Sequence, residues 1–341
     1  MKALENASLK NLNSFSVEAS ANLLLTIETE EDLLSLPAFD RKRDFVLGGG
    51  SNVLFVTSIP GTAFLNRITG REIIDEHDGQ VLIEAGAGEI WNELVLWTLE
   101  KGLSGLENLS LIPGLAGAAP IQNIGAYGVE LSSVLEGVTA WDWRKTRWVF
   151  FTRDECKLEY RDSIFKSTEA NHYLITSIRL RLNRCFTPCL EYQGLRDELR
   201  SMGIAQAGPK QVSEAVIRIR KRKLPDPTQL GNAGSFFKNP IVSANLAAAL
   251  QQQFPGLPGW QTGPENLKLS AGWMIEYCGL KGLRLGDAGV SDQHALVLLN
   301  HGAASGHDIA RLADKVRTTV FEEFGVLLEQ EPVLVDFQTR D

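Results

Sequence analysis

The chain has 341 residues, 44% of them hydrophobic, and a formal net charge of -8. That is apolar material for two or three domains, and the acidic balance excludes a general nucleic-acid surface while leaving room for local phosphate-binding patches. The first fifteen residues are polar with no apolar signal core, and the most apolar short runs, such as 244–250, are far too short to span a bilayer, so a soluble, cytoplasmic protein without membrane contact is expected.

Residues 44–47 read as a short strand entering three glycines, and an apolar β-prone pattern resumes at 53–56. Strand, glycine turn, strand differs from the strand, GxGxxG, helix of a Rossmann unit. A strand over 81–85 ends at Gly86-Ala87-Gly88, and 89–101 has helical spacing through Ile90, Leu94 and Trp97. Residues 138–143 and 148–152 suggest paired strands about the turn 144–146, and 173–182 alternates as a strand. Residues 211–222 form a helical pattern that Pro225-Asp226-Pro227 stops, which is the clearest domain boundary. Beyond it, 271–278 reads as a helix, 294–300 as a buried strand, 308–324 as an amphipathic helix stopped by Gly325, and 332–337 as a closing strand. The first half is α+β and the second a small α/β unit.

Four cysteines, at 156, 185, 189 and 278, make no paired CxxC site, and five histidines, at 77, 172, 294, 301 and 307, make no HExxH motif. Incidental thiols in a reducing compartment and no catalytic metal are expected.

Several segments carry chemistry. Gly48-Gly49-Gly50-Ser51-Asn52 offers backbone amides without Cβ obstruction, which can wrap a diphosphate; a hairpin turn is the structural alternative. The segment 113–128 is dominated by small residues of poor helix and strand propensity, and can lie flat against a ring system with Gln122 and Asn123 at its edge. Tyr160-Arg161-Asp162-Ser163 holds a guanidinium among apolar neighbours, either for an anion or for a surface pair with Asp162. Gly234-Ser235-Phe236-Phe237-Lys238-Asn239-Pro240 looks like a shaped, partly dry pocket with one exchangeable proton beside an anion site. Glu329 and Glu331 place carboxylates at the edge of the closing strand or in a solvated turn, and the basic run through Arg218, Arg220, Lys221, Arg222 and Lys223 could grip a diphosphate or only favour a helix end. The set points to a flavin enzyme acting on a negatively charged substrate.

Taken in order, with Gly105-Leu106-Glu107-Asn108-Leu109 and Ile112-Pro113-Gly114 added, these motifs closely resemble the UDP-N-acetylenolpyruvoylglucosamine reductase (MurB) family over about residues 9–335. The resemblance implies an α+β protein: a two-part FAD-binding fold of the vanillyl-alcohol oxidase (PCMH) type plus a C-terminal α/β substrate-binding domain. The implied parts are 1–68 and 69–210 for FAD and 225–326 for substrate, with a final strand at about 327–341 returning to the FAD side.

It also implies non-covalent FAD and NADPH as co-substrate. The implied FAD contacts are Gly48, Gly49, Gly50, Ser51, Asn52, Pro113, Gly114, Gly117, Ala118, Gln122, Asn123, Gly125, Ala126 and Gly128. The implied reaction delivers hydride to the enolpyruvyl alkene of UDP-N-acetylglucosamine enolpyruvate. Arg161 would stabilise the resulting enolate, Glu331 would assist as a neutral acid, and Ser235 would protonate the carbanion. Tyr192, in the longer subtype with a tyrosine loop, Lys223 and Asn239 match positions for the uridine diphosphate part. His294 stands where some members carry glutamine, and Glu329 is a second candidate carboxylate. A monomer is expected. Two other readings stand beside it: an oxidase of the same flavin fold using oxygen, and, in a different class, a catalytically inactive flavin or nucleotide-binding sensor.

Overall fold

The computed structural model describes residues 1–338. β1 (Lys2–Ser8), β2 (Ser20–Ile27), β3 (Phe45–Leu47), β4 (Val53–Phe55) and β5 (Ile59–Asn66) open the chain. β1, β2, β5 and β3 form one sheet in that order, with β2 and β3 both parallel to β5. β4 lies outside this sheet, so the glycine run between β3 and β4 is no hairpin. It is a crossing between two sheets, which leaves its amides free of ladder pairing.

β6 (Arg71–His77), β7 (Gln80–Gly86), α1 (Trp91–Glu100), β8 (Gly125–Ala126), β9 (Val129–Glu130), β10 (Leu135–Asp142), β11 (Arg147–Thr152) and β12 (Tyr173–Asn183) follow. β11, β10, β12, β7 and β6 make an antiparallel five-stranded sheet in that order. Its buried face carries Val81, Ile83, Val138, Ile178 and Leu180, alternating as a half-covered antiparallel sheet requires. β8 and β9 form a tight hairpin whose central residues Tyr127 (φ 50) and Gly128 (φ 88) both lie in the left-handed region, the backbone needed for a two-residue turn with the native strand twist.

α2 (Gln193–Ser201) and α3 (Pro209–Lys223) pack on each other through Leu195, Leu199, Val212, Val216 and Ile219. Pro209 sits at the first helical position of α3, where its missing N–H costs nothing. The C-terminal region contains β13 (Ile241–Ser243), α4 (Ala244–Gln253), β14 (Gly259–Gln261), β15 (Asn266–Leu269), α5 (Ala271–Tyr277), β16 (Arg284–Leu285), β17 (Ala288–Val290), β18 (Leu298–Asn300), α6 (Gly306–Phe324) and β19 (Val333–Val335). Ser305 and Asp308 form a capping box at the start of α6, and Gly325 ends it at φ 65.

β19 pairs in parallel with β4, matching Val333 to Val53 and Val335 to Phe55. Correspondingly, one continuous apolar core joins Leu47, Leu54 and Phe55 to Phe236, Ile309 and Val316. That core joins the opening strands to the C-terminal region, while the helices just before Pro225 pack in a cluster of their own. Positions 339–341 of the expected final segment lie outside the described residues. The apolar run 294–300 is a strand only over Leu298–Asn300; residues 294–297 form a turn closed by Val297 N donating to His294 O at 2.9 Å. Burial alone made that run apolar, and burial does not distinguish a turn packed in a core from a strand. Among the described residues no helix is long and apolar enough to cross a membrane.

Candidate active site

A cavity of about 400 Å³ lies where the glycine loop, the small-residue segment, the Tyr160–Ser163 turn and the C-terminal region meet. Its first wall is backbone. Gly49 packs so closely that an added Cβ would stand 3.1 Å from Gly114 Cα, and one on Gly117 would collide with Ala87. Gly50 takes φ 63, and there a side chain would meet the Leu12 carbonyl. These glycines are glycines because two backbones touch. Ser51 Oγ donates to Pro113 O at 3.2 Å, and the Asn52 amide donates to Gln122 Oε1, so the two small-residue segments are bonded into one surface.

The second segment is not a free loop. It runs through 3₁₀ turns at Ala116–Ala118 and Pro120–Gln122. Ala116 N donates to Glu89 O at 2.8 Å and Gly117 N to Ala87 O at 2.9 Å. Gly48, Gly49, Gly50, Ser51, Asn52, Pro113, Gly117, Ala118, Gln122 and Gly125 face the cavity, with Gly114 packed directly behind Gly49. Asn123, Ala126 and Gly128 are not on its wall. Buried Asn123 donates to Glu130 Oε2 (3.1 Å) and Glu159 O (3.0 Å) and accepts from Ser132 N (3.0 Å), so its side chain is spent inside the protein. Ala126 and Gly128 build the β8–β9 hairpin.

Arg161 stands at the third position of a tight turn in which Glu159 and Asp162 exchange backbone hydrogen bonds at 3.1 and 3.3 Å. Its φ is 57, a conformation disfavoured for a residue with a long side chain. The turn is anchored by Ser163 Oγ donating to Ile121 O at 2.7 Å. From it the guanidinium reaches Gly125 O (Nη2, 2.7 Å) and Glu331 Oε1 (Nε, 2.6 Å). Asp162, the alternative surface partner, is not its ion partner. Glu329 instead pairs with Lys238 at 3.0 Å and is mostly exposed, and of the two carboxylates only Glu331 lines the cavity. A carboxylate oxygen 2.6 Å from a guanidinium is a charge-assisted pair; for Glu331 to act as a neutral acid, that pair must open.

Ser235 lines the same cavity. The run containing it lies extended between two segments: Phe236 N donates to Leu296 O at 2.7 Å, and Glu331 N to Phe236 O at 2.8 Å. Phe236 and Phe237 are both buried in the C-terminal core and do not line the cavity. Their role is to fix the serine's backbone, not to dry the site directly.

The expected substrate residues divide. Lys223 Nζ donates to Tyr192 OH at 3.2 Å, and the Tyr192 ring meets Tyr127 edge-on with centroids 5.1 Å apart. His294 is half-buried, and burial, helped by nearby Lys223 and Lys281, holds its imidazole below the ordinary value, so it is neutral at pH 7. Asn239 lies apart, beside a second hollow with Tyr160 and Lys238, and its Oδ1 accepts from Ala271 N at 3.0 Å.

Two further basic residues lie on the cavity wall: Arg220, from the basic run considered for a diphosphate, and Lys166, which had no assigned role in the sequence. Burial lowers the pKa of Arg220, whose Nε donates to Leu111 O at 3.2 Å. Burial likewise lowers that of Lys166, whose Nζ donates to Glu331 O at 3.1 Å and Arg161 O at 3.3 Å. Both belong to motifs visible in the sequence, but their burial was not.

Residues 226–335 match the family model described as UDP-N-acetylenolpyruvoylglucosamine reductase, C-terminal domain, and residues 21–148 match that described as FAD binding domain. The chain is 46% identical to a UDP-N-acetylenolpyruvoylglucosamine reductase of Pseudomonas aeruginosa, covering 97% of this chain and 98% of the relative. It is 47% identical to one from Xanthomonas campestris pv. campestris, covering 97% and 95%. The solved structure of UDP-N-acetylenolpyruvylglucosamine reductase (MurB) from Thermus caldophilus superposes with a TM-score of 0.64 at 27% identity, covering 98% of both chains. The fold is thus the FAD-binding fold of the vanillyl-alcohol oxidase type with a C-terminal α/β domain, and the chain belongs to the UDP-N-acetylenolpyruvoylglucosamine reductase family.

Proposed function

We infer that this protein reduces the enolpyruvyl group of UDP-N-acetylglucosamine enolpyruvate to give UDP-N-acetylmuramate for peptidoglycan synthesis, with FAD as cofactor and NADPH as reductant. The observation that carries the reading is the convergence of Arg161, Ser235 and Glu331 on one cavity whose opposite wall is bare glycine backbone. That wall fits a flavin nucleotide, because Gly48, Gly49, Gly50, Gly117 and Gly125 line the cavity and present backbone without side chains. Gly48 to Asn52 and the segment from Pro113 to Gly125 would hold it. Bound FAD supplies the hydride.

The remaining chemistry falls to side chains. Hydride addition to the terminal alkene carbon leaves charge on the carbon beside the carboxylate. Arg161 is preorganised to receive that charge, since its backbone is fixed in the turn and its guanidinium is already in the cavity. Glu331, which pairs with Arg161 Nε before substrate arrives, assists as a neutral acid once that pair opens. Ser235 gives its hydroxyl proton to the carbanion, a strong base that makes a weak acid sufficient when aligned. Lys223 and Tyr192 bind the diphosphate end, and the hydrogen bond between them supports their acting as one unit. His294, close enough to Lys223 to feel its charge, belongs to the same end, whereas Asn239 would reach the substrate from the second hollow. For Asn239 the amide nitrogen is the group to use, because its oxygen is occupied.

Residues 1–68 and 69–210 are read as the two parts of the FAD fold and 225–326 as the substrate part. The confinement of the five-stranded sheet to the second range and the β19–β4 pairing support this. A single chain contains every named group, which supports a monomer, and a nucleotide-sugar substrate supports the cytoplasm.

The test is the visible spectrum of the anaerobic protein. Flavin absorbance should bleach with NADPH and recover with the enolpyruvyl sugar nucleotide. Recovery only with oxygen would instead favour an oxidase, and flavin that never bleaches a sensor.

A further inference from the structure

Arg161 and Glu331 are joined twice. Their side chains meet across the cavity, and behind them one ammonium bonds both main chains: Lys166 Nζ donates to Glu331 O at 3.1 Å and to Arg161 O at 3.3 Å. Burying an ammonium is unfavourable unless its donors are matched. Burial lowers the Lys166 pKa, nearby Lys238 adds to this, and Glu331 and Asp162 oppose it. A half-buried cation whose hydrogen bonds go to the carbonyls of two site residues from distant parts of the chain is a costly device for stability alone.

The two carbonyls are also the ones whose position matters. Arg161 is left-handed, so its carbonyl direction is not secured by its own backbone preference. Glu331 precedes β19, and its carbonyl takes a second bond, from Asn52 Nδ2 in the glycine loop at 3.3 Å. The glycine loop, the Tyr160–Ser163 turn and the C-terminal segment thus meet at one oxygen.

We propose that Lys166 is a positioning residue for the reduction, holding the backbones of Arg161 and Glu331 in register while the Arg161 guanidinium re-pairs with the substrate's anionic group. This rests on the roles given to Arg161 and Glu331 above. The Arg161–Glu331 contact must loosen when an anion arrives; the Lys166 tether, made to main chain, does not. Substrate binding then changes side-chain partners without moving the turn.

The experiment uses the FAD-loaded protein in anaerobic stopped flow, following bleaching by NADPH and recovery with UDP-N-acetylglucosamine enolpyruvate as separate phases. A misplacement of about 1 Å costs on the order of 10²-fold in rate. Lys166→Met is therefore expected to slow recovery at least ~10-fold while bleaching changes less than ~2-fold. Lys166→Arg, which can span both carbonyls, should restore most of the recovery rate. Glu331→Gln should slow recovery by a smaller factor in the Lys166→Met background than in the wild type, as residues acting through one another are not additive. Recovery at the wild-type rate in Lys166→Met, equal slowing of both phases, or full additivity with Glu331→Gln overturns the proposal. If Lys166→Met does not retain flavin, Lys166→Gln, which keeps one donor, is read by the same ratio of phases. Failure of the proposed function itself is seen separately, as wild-type flavin that bleaches but does not recover with the sugar nucleotide.

Discussion

Arg161 Nε lies 2.6 Å from Glu331 Oε1, although the two residues come from opposite halves of the chain. Arg161 rides on a strained turn beside the five-stranded sheet, and Glu331 on the segment that leads into β19 and back to β4. The parallel pairing of those two short strands brings the carboxylate to the arginine.

The pair separates the two candidate carboxylates. Glu331→Gln is expected to slow flavin recovery with substrate by on the order of 10²-fold or more, the cost of removing a preorganised electrostatic group. Glu329→Gln, whose carboxylate is mostly exposed and pairs with Lys238 and not with Arg161, should change it by less than about 2-fold. Single-turnover rates of the two variants decide between them, and the reverse order would transfer the role to Glu329.

Ser235→Ala removes the proposed proton donor and leaves the cavity wall intact. Bleaching by NADPH should stay near the wild-type rate, while recovery falls by roughly 10²- to 10⁴-fold, the span of general acid catalysis. Equal loss in both phases would mean that Ser235 shapes the flavin site instead.

Lys223 and Tyr192 are linked through Lys223 Nζ and Tyr192 OH. Lys223→Ala should raise KM for the sugar nucleotide by about 10-fold or more, reflecting loss of a charge-assisted contact of roughly 1.5–3 kcal/mol. Tyr192→Phe, which keeps the ring and loses the bond, should have a smaller effect. An unchanged KM in Lys223→Ala takes this end of the protein out of the substrate site.

At Gly117 a methyl group would meet Ala87 and its backbone. Gly117→Ala should destabilise the protein by about 1–3 kcal/mol, as overpacking does, and should lower the flavin content of the purified protein. Gly263→Ala, at a position where an added Cβ meets nothing within 4 Å, is the matched control. Equal flavin content in the two variants would contradict the close-packed wall.

Stability in acid should depend on Asp308. Its carboxyl is brought down to about 2, first by the Ser305 hydroxyl, then by the Ser305 N–H and by Arg311. A depressed folded value means that the contribution is fully present above the ordinary value of 3.8 and is lost as pH falls through about 2. Asp308→Asn should therefore be less stable than wild type at pH 7, and the difference should shrink steadily between pH of about 4 and 2. Ser305→Ala should cost about 1 kcal/mol through loss of the same cap. Denaturant unfolding at several pH values checks both, and a constant difference for Asp308→Asn would exclude the carboxylate as the source.

Much of this protein is written locally. The amphipathic stripe of α6 and its Gly325 stop, the hairpin of β10 and β11, and the end of α3 before Pro225 follow from side-chain period and backbone preference, which act within a few residues. The motifs around Gly48, Gln122, Arg161 and Ser235 could be read as parts of one site because each residue type carries its chemistry with it. What the sequence by itself did not decide is what each side chain meets. The apolar run at 294–300 is largely a buried turn, Asn123 is consumed within the structure, Phe236 and Phe237 serve the core, and Lys166 is a half-buried tether. Each of these depends on contacts between segments far apart in the chain. The energy of such contacts comes from burial and from pairing polar groups out of water, and only the tertiary structure sets which groups are buried together.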